Sequence, residues 1–234
     1  LNANLIDEHY YMAPQWFREN SGRYDNYPRT GPKVFAGEYA AQSVGIASAD
    51  NRNNWECALS EAAFITGLER NSDLVRMSSY APLFGHVDAW QWTPNMIWFD
   101  NLRSYGTPNY YVQKMFSVNK GTRRLAILID DSPKNGQSEL YASGSLDEGT
   151  GEVILKIVNT GSASKEVQIT LAGAKNVRQS GKALVLQTED LKTENSLDHP
   201  TRLAPVEKQL QVSGNDFSYS ILPRSFTVLR IPLR

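Results

Sequence analysis

The sequence predicts a chain in two parts, an α/β part followed by an all-β part. Three observations carry this. Aromatic residues crowd the first half: all five tryptophans lie before residue 100 and nine of the eleven tyrosines before residue 112. Strand-like and helix-like stretches alternate up to about Phe116. Beyond Asn119 the chain changes to short alternating runs of Val, Ile, Leu, Ser and Thr separated by turn residues. Asn119-Lys120-Gly121 reads as a turn, which sets the boundary and gives parts 1–118 and 119–234.

In the first part, Asn4 to Tyr11 begins apolar and ends polar and aromatic, as a strand ending at a site would. Pro14 to Asn20 opens as a helix, since proline is tolerated in a first turn. Asn26 to Pro32 is loop and Lys33 to Tyr39 a short strand. Asn54 is placed to cap a helix running to about Asn71, with Trp55, Ala58, Leu59, Ala62 and Ile65 on one face. Met77 to Val87 is mostly apolar, and Pro108 to Phe116 is a last helix. Strands alternating with helices argue for a parallel sheet with crossover helices.

The second part reads as strands only: Leu125–Ile129, Leu140–Ser145, Val153–Asn159, Glu166–Leu171, Ala183–Thr188, Gln209–Val212, Phe217–Ile221 and Phe226–Ile231. Val153, Leu155 and Ile157 alternate with Ile154, Lys156 and Val158, so that strand is expected to be buried on most of both faces. Val167 and Ile169 alternate with Gln168 and Thr170, a half-buried pattern. Short strands with regular turns suggest a β-sandwich or jelly roll.

The 234 residues suffice for one large domain or two small ones, and 41% of them are hydrophobic. Twenty-four basic against 25 acidic residues give a formal charge of −1, so no strong field exists to hold nucleic acid or an anionic membrane, and neither partner is expected. The single cysteine, Cys57, excludes an internal disulfide and reads as a small buried apolar residue. No apolar run approaches a membrane span, and the start carries no basic region followed by an apolar one. The abrupt opening on a strand suggests that the protein begins upstream. His9, His86 and His199 stand far apart without ligand spacing, so neither a metal nor another cofactor is expected.

Three stretches carry candidate chemistry. In Lys33-Val34-Phe35-Ala36-Gly37-Glu38-Tyr39-Ala40, strict alternation puts Glu38 at a strand's C-terminal tip, on the side of Val34 and Ala36. In a parallel barrel, catalytic groups stand at such tips; a solvated glutamate at a strand end is the plain alternative. In Leu5-Ile6-Asp7-Glu8-His9-Tyr10-Tyr11, Asp7, His9 and Tyr11 share one face, and Glu8 points away. Histidine and tyrosine together supply hydrogen bonds beside aromatic faces, which hydroxyl-rich neutral ligands require. A hydrogen-bonded structural histidine is the competing account, and a second matching strand end weighs against it. Asp88 to Asp100 carries three tryptophans in nine residues, with Gln91 and Asn95 between. Trp92 is the candidate sugar platform there, while Trp98 and Phe99 are expected in the core.

Three strings, Val34–Ala40 (VFAGEYA), Ile6–Tyr11 (IDEHYY) and Tyr105–Phe116 (YGTPNYYVQKMF), resemble α-L-arabinofuranosidases of glycoside hydrolase family 51. Trp55–Leu68, the run Arg70-Asn71-Ser72-Asp73 and the closing Leu222–Leu229 match the same family's pattern, in the right order over nearly the whole chain. The resemblance implies the C-terminal part of a (β/α)8 barrel, strands six to eight, in residues 1–118, followed by a jelly-roll domain in 119–234. It implies that Glu38 follows strand seven as the nucleophile of a retaining glycosidase. It implies that His9 and Tyr11 help bind the sugar. Tyr10, Trp92 and Asn95 stand beside them as further substrate-binding candidates from the residues themselves. The family's acid/base glutamate, in a Gly-Asn-Glu string after strand four, has no counterpart here, so it is expected upstream of Leu1 with strands one to five.

Retaining hydrolysis needs two carboxyl groups about 5 Å apart, one attacking and one protonating the leaving oxygen. The full protein is therefore expected to cleave terminal arabinofuranosyl groups from arabinose-containing oligo- or polysaccharides of plants, outside the cell or in the periplasm. The chain alone is expected to be inactive, and to self-associate or depend on the remainder of its own protein. Two other readings stand beside this: a structural or carbohydrate-binding module, and another retaining glycosidase of the same clan, a xylosidase or endoglucanase. The near absence of aromatics after residue 119 favours a supporting role for the β part.

Overall fold

A computed structural model describes residues 3–133 and 136–233. The first part runs β1 (Leu5–Met12), α1 (Pro14–Glu19), β2 (Lys33–Ala41), α2 (Trp55–Arg70), β3 (Val75–Tyr80), β4 (Phe84–His86), β5 (Ile97–Phe99), β6 (Ser104–Gly106) and α3 (Pro108–Val118). The rest is β7 (Arg123–Leu125), β8 (Leu140–Asp147), β9 (Glu152–Asn159), β10 (Lys165–Thr170), β11 (Ser180–Gln187), β12 (Val206–Gln211), β13 (Asp216–Ile221) and β14 (Ser225–Pro232). The molecule is mostly β-sheet with few helices.

β1, β2 and β3 form a parallel sheet in that order. Helices α1 and α2 cover one of its faces. Tyr10 and Tyr39 reach from the sheet to Phe64 of α2, with ring centroids 5.7 and 6.1 Å away. The helix starts as its sequence requires: the Asn54 side chain accepts from the Cys57 N–H at 3.0 Å, satisfying an otherwise orphaned donor. Thr107 and Pro108 begin α3 in the same manner, the Thr107 hydroxyl accepting from the Tyr110 N–H at 3.3 Å. Helix α2 is buried over nearly its whole circumference, not along one stripe. The reason is its position between two sheets, so that both of its sides meet apolar partners. At Gly67 the backbone touches another segment: a Cβ there would lie 1.8 Å from the Ser21 carbonyl oxygen, so only glycine fits.

The second sheet is six-stranded, in the order β12-β11-β14-β9-β8-β7, with antiparallel pairing throughout. Ile154 and Val158 of β9 and Phe226 and Val228 of β14 turn towards the helices and join the cluster around α2. Val153, Leu155, Leu229 and Ile231 turn the other way and pack beneath the antiparallel ribbon β10-β13, with Phe217 and Ile221. This explains the near-continuous apolar runs of β9 and β14: both faces are covered. Lys156 interrupts the run yet is fully buried. Its ammonium pairs with Glu69 of α2 and lies 5.3 Å from the centroid of the Phe116 ring.

Two expectations are corrected by the structure. The strand expected at Leu125–Ile129 is shorter and earlier, Arg123–Leu125. The chain leaves the sheet and reverses at Asp130 and Asp131, whose φ values of 49° and 59° are incompatible with a strand. Trp98 and Phe99 are half-buried, not core, because β4, β5 and β6 form a separate small sheet with a single aromatic layer. In that layer Trp98 meets Trp90 edge to face at 6.3 Å and Phe99 meets Phe84 at 6.3 Å.

Candidate active site

The register of β1 against β2 sets the site. Asp7 pairs with Phe35 and Glu8 with Ala36, but His9 pairs with Glu38, so Gly37 is an extra residue on β2. Such a bulge turns two consecutive residues to one face. A Cβ on Gly37 would stand 2.1 Å from Asp7 Oδ1 and 2.9 Å from the Phe35 ring, which places its bare side on the face of Asp7. Glu38 follows on that same face, where its carboxylate meets Tyr11 and His9. Strict alternation put Glu38 on the side of Val34 and Ala36. Instead those two, with Tyr39, are buried against the helices, and Glu38 looks the opposite way.

On the open face, the Tyr11 hydroxyl donates to Glu38 Oε2 at 2.6 Å. The His9 Nδ1 lies 3.5 Å from that oxygen, and its Nε2 lies 3.0 Å from Asp7 Oδ2. Asp7, His9 and Glu38 therefore form a short chain of polar groups, with Tyr11 closing its upper end. Burial, then the hydrogen bond and negative charge of Glu38, push the Tyr11 phenol well above its ordinary range, so it is a firm donor at neutral pH. The side chain of Glu38 keeps 43% of its surface. With one oxygen held and the group open to the face, the carboxylate is oriented yet accessible, as a nucleophile must be.

The reverse face is structural. Glu8 points under the helices, where the Tyr24 hydroxyl donates to its Oε2 at 2.8 Å and Arg23 Nε stands 3.6 Å away. Tyr10 bonds Glu8 there as well, lies 2.6 Å from the Tyr24 hydroxyl and carries the Arg23 guanidinium 5.1 Å above its ring. Burial and the neighbouring Glu8 raise the Tyr10 phenol to about 12. Tyr10 is thus removed from the substrate-binding candidates: the alternation that gives Tyr11 to the open face gives Tyr10 to the core.

Trp92 is half exposed, 52%, in the loop between β4 and β5. That loop is tied to the segment after β2, Thr93 Oγ1 donating to the Asn51 carbonyl at 3.2 Å and Asn51 Nδ2 to the Thr93 carbonyl at 3.4 Å. Asn95 is buried; its side chain bonds the Trp92 carbonyl, and its N–H donates to Asn53 Oδ1 at 3.0 Å. Asn95 is therefore also withdrawn as a sugar ligand, since it satisfies the loop's own backbone. Among the described residues no cluster of three or more His, Cys, Asp or Glu is arranged to hold a metal ion. No helix of the structure is long and apolar enough to cross a membrane.

Sequence reasoning missed a second carboxylate near the rim. Glu61 of α2 is fully buried, and its Oε1 accepts from the N–H of Ala41, three residues beyond Glu38, at 2.8 Å. The signal was present in the sequence: one glutamate inside the apolar helical run Ala58 to Ile65.

The family described as α-L-arabinofuranosidase C-terminal domain matches residues 37–225. An extracellular exo-α-L-arabinofuranosidase of Streptomyces chartreusis is 44% identical over 171 residues, 73% of this chain and 18% of its own length. The α-L-arabinofuranosidase 2 of Arabidopsis thaliana is 35% identical over 229 residues, 96% of this chain and 33% of its own. Among solved structures, an arabinose-bound α-L-arabinofuranosidase superposes with a TM-score of 0.90 at 32% identity, covering 99% of this chain and 37% of the other. The chain thus spans between 18% and 33% of the length of these two curated relatives.

Proposed function

Because the chain belongs to the α-L-arabinofuranosidases of glycoside hydrolase family 51, as their C-terminal part, we propose that it supplies the nucleophile, Glu38, of a retaining α-L-arabinofuranosidase. The observation that carries this is the bulge at Gly37, which turns the Glu38 carboxylate onto the open face beside His9 and Tyr11. On this reading β1, β2 and β3 are barrel strands six, seven and eight. Residues 1–118 close a (β/α)8 barrel, and residues 119–234 form a jelly-roll domain that supports it. Glu38 attacks the anomeric carbon of a terminal arabinofuranosyl group of an arabinose-containing oligo- or polysaccharide and forms a covalent glycosyl-enzyme. Tyr11 orients the attacking carboxylate, His9 bonds the sugar or the carboxylate, and Trp92 stacks on a neighbouring sugar ring. The extracellular relative supports action outside the cell.

Among the described residues of this chain Glu38 has no credible acid/base partner. Glu8 is committed to Tyr24 beneath the sheet, and Asp7 is engaged by His9 on the N-terminal side of the site. General acid help is typically worth about 10²- to 10⁴-fold, and positioning by surrounding walls about 7 to 11 kcal/mol. Residues 1–234 alone are accordingly inactive, and the activity belongs to the full-length protein. The test is product stereochemistry, followed by NMR, as the full-length protein cleaves an aryl α-L-arabinofuranoside. Retention, lost with all turnover in Glu38→Ala, supports the reading. Inversion, or cleavage of aryl xylosides in preference, rejects it.

A further inference from the structure

We propose that Glu61 is a positioning residue for the reaction: its buried carboxyl group fixes the end of β2, and with it Glu38, by completing a hydrogen-bond network of fixed polarity. The inference rests on Glu38 being the nucleophile. The ladder between β2 and β3 pairs Val34, Phe35, Ala36 and Tyr39 with their neighbours but passes over Gly37 and Glu38, and reaches no further than Tyr80. The N–H of Ala41 points past that end and donates to Glu61 Oε1 at 2.8 Å. On this side the segment holding Glu38 is tied by the Ser79 hydroxyl on the Gly37 carbonyl, by the Ala81 N–H donating to the Tyr39 carbonyl at 3.3 Å, and at its end by the Glu61 side chain on the Ala41 N–H.

The polarity of the network can be followed atom by atom. The backbone N–H of Asn95 and the indole Nε1–H of Trp98 are donors only, and both point at Asn53 Oδ1, at 3.0 and 3.1 Å. Asn53 must therefore present its Nδ2 on the other side, where it donates to the Tyr80 hydroxyl at 3.0 Å and to Asn109 Oδ1 at 3.1 Å. Asn109, its oxygen so used, must present Nδ2 to Glu61 Oε2, at 2.8 Å. Glu61 thus faces a donor at each oxygen, the Ala41 N–H and the Asn109 amide. Glutamine has one acceptor where two are required, and turning Asn109 over only moves the donor–donor clash to Asn53. The side chains of Glu61, Asn109 and Asn53 are all buried, so an unmade bond here has no water to replace it. The network spans α2, α3, the ends of β2 and β3 and the loop bearing Trp92, which are the elements that frame Glu38.

The experiment uses the full-length protein, an aryl arabinofuranoside and four variants. Glu61→Gln is expected to lower kcat by about 10²-fold, as misplacement of a reacting group does, with KM changed little. Asn109→Asp alone lets one proton bridge the two carboxyl groups near neutral pH and is expected to be impaired at higher pH, where both ionise. In the double variant Glu61→Gln/Asn109→Asp, the glutamine oxygen takes the Ala41 N–H and its amide donates to the new carboxylate at position 109. The second oxygen of that carboxylate takes Asn53 Nδ2. Every polarity is restored, and so is kcat. Leu210→Ala, in the core of the β part, destabilises without touching the network and keeps kcat where it remains folded. The amide exchange of Ala41, read by NMR, should quicken in Glu61→Gln and slow again in the double variant. Should Glu61→Gln fail to fold, the double variant still reports. The inference is overturned if Glu61→Gln keeps kcat and Ala41 protection, if the double variant folds without restoring them, or if Leu210→Ala loses kcat equally. A wild type that turns over no arabinofuranoside rejects the proposed function instead, and the exchange of Ala41 still decides on the clamp.

Discussion

The Tyr11 hydroxyl and the Glu38 carboxylate meet across two parallel strands at 2.6 Å, although 27 residues separate them in sequence. The contact exists because β2 carries an extra residue at Gly37; without it Glu38 would face the helices.

Tyr11→Phe in the full-length protein removes the hydroxyl that donates to Glu38 Oε2 at 2.6 Å. A bond to a charged group contributes about 1.5–3 kcal/mol, so kcat/KM should fall roughly 10- to 150-fold. Steady-state kinetics on an aryl arabinofuranoside check this, and unchanged kcat/KM would show that the carboxylate is oriented by something else.

Gly37→Ala forces a methyl group to within 2.1 Å of Asp7 Oδ1, which must release His9 or shift β2. Overpacking of this kind costs about 1–3 kcal/mol. Denaturant unfolding should show that loss, together with reduced turnover. Normal stability and turnover would mean that the bulge does not constrain Glu38.

Burial raises the Glu61 carboxyl from its ordinary 4.5 to about 8, the bonds from Ala41 and Asn109 offsetting only part of the effect. Each carboxyl oxygen has a second lone pair, so a proton can be held there with both donors still in place. The acid therefore keeps its proton in the folded state over a range in which the unfolded chain has lost it. The folded state binds more protons there, so this group's contribution to stability is full below pH 4.5 and declines as pH rises to about 8. Unfolding followed by denaturant across that range should show the decline, and Glu61→Gln, which has no proton to lose, should show a flatter dependence. An identical slope in both would place the proton elsewhere.

Lys156 and Glu69 pair between β9 and α2, and Ser143 also bonds the Glu69 carboxylate. Lys156→Ala leaves a carboxylate without its cation in a largely buried setting and should cost about 3–5 kcal/mol in denaturant unfolding. Lys156→Met with Glu69→Gln removes both charges and should cost far less. Equal losses in the two variants would show that packing, not charge, sets the effect.

Much of this fold was legible because its rules are local. β9 and β14 alternate apolar residues on both faces since each lies between the helices and the ribbon. Asn54 and Thr107 mark helix starts by side-chain bonds made within three residues. What escaped the sequence depends on distant partners. The bulge at Gly37 exists only in the pairing with β1, so alternation sent Glu38 to the wrong face. Tyr10 and Tyr11 look alike in sequence, and only the helices above Tyr10 separate their roles. Asn95 turns inward because Asn53, 42 residues away, needs its N–H.

The most direct test of Glu38 as nucleophile is to trap the covalent intermediate. The full-length enzyme is incubated with a 2-deoxy-2-fluoro arabinofuranosyl donor carrying a good leaving group, quenched, digested and sequenced by mass spectrometry. The account predicts one fluoro-sugar ester, on the peptide Val34-Phe35-Ala36-Gly37-Glu38-Tyr39-Ala40 and at Glu38 itself, absent from Glu38→Gln. A label on any other carboxylate, or one that persists in Glu38→Gln, would contradict it.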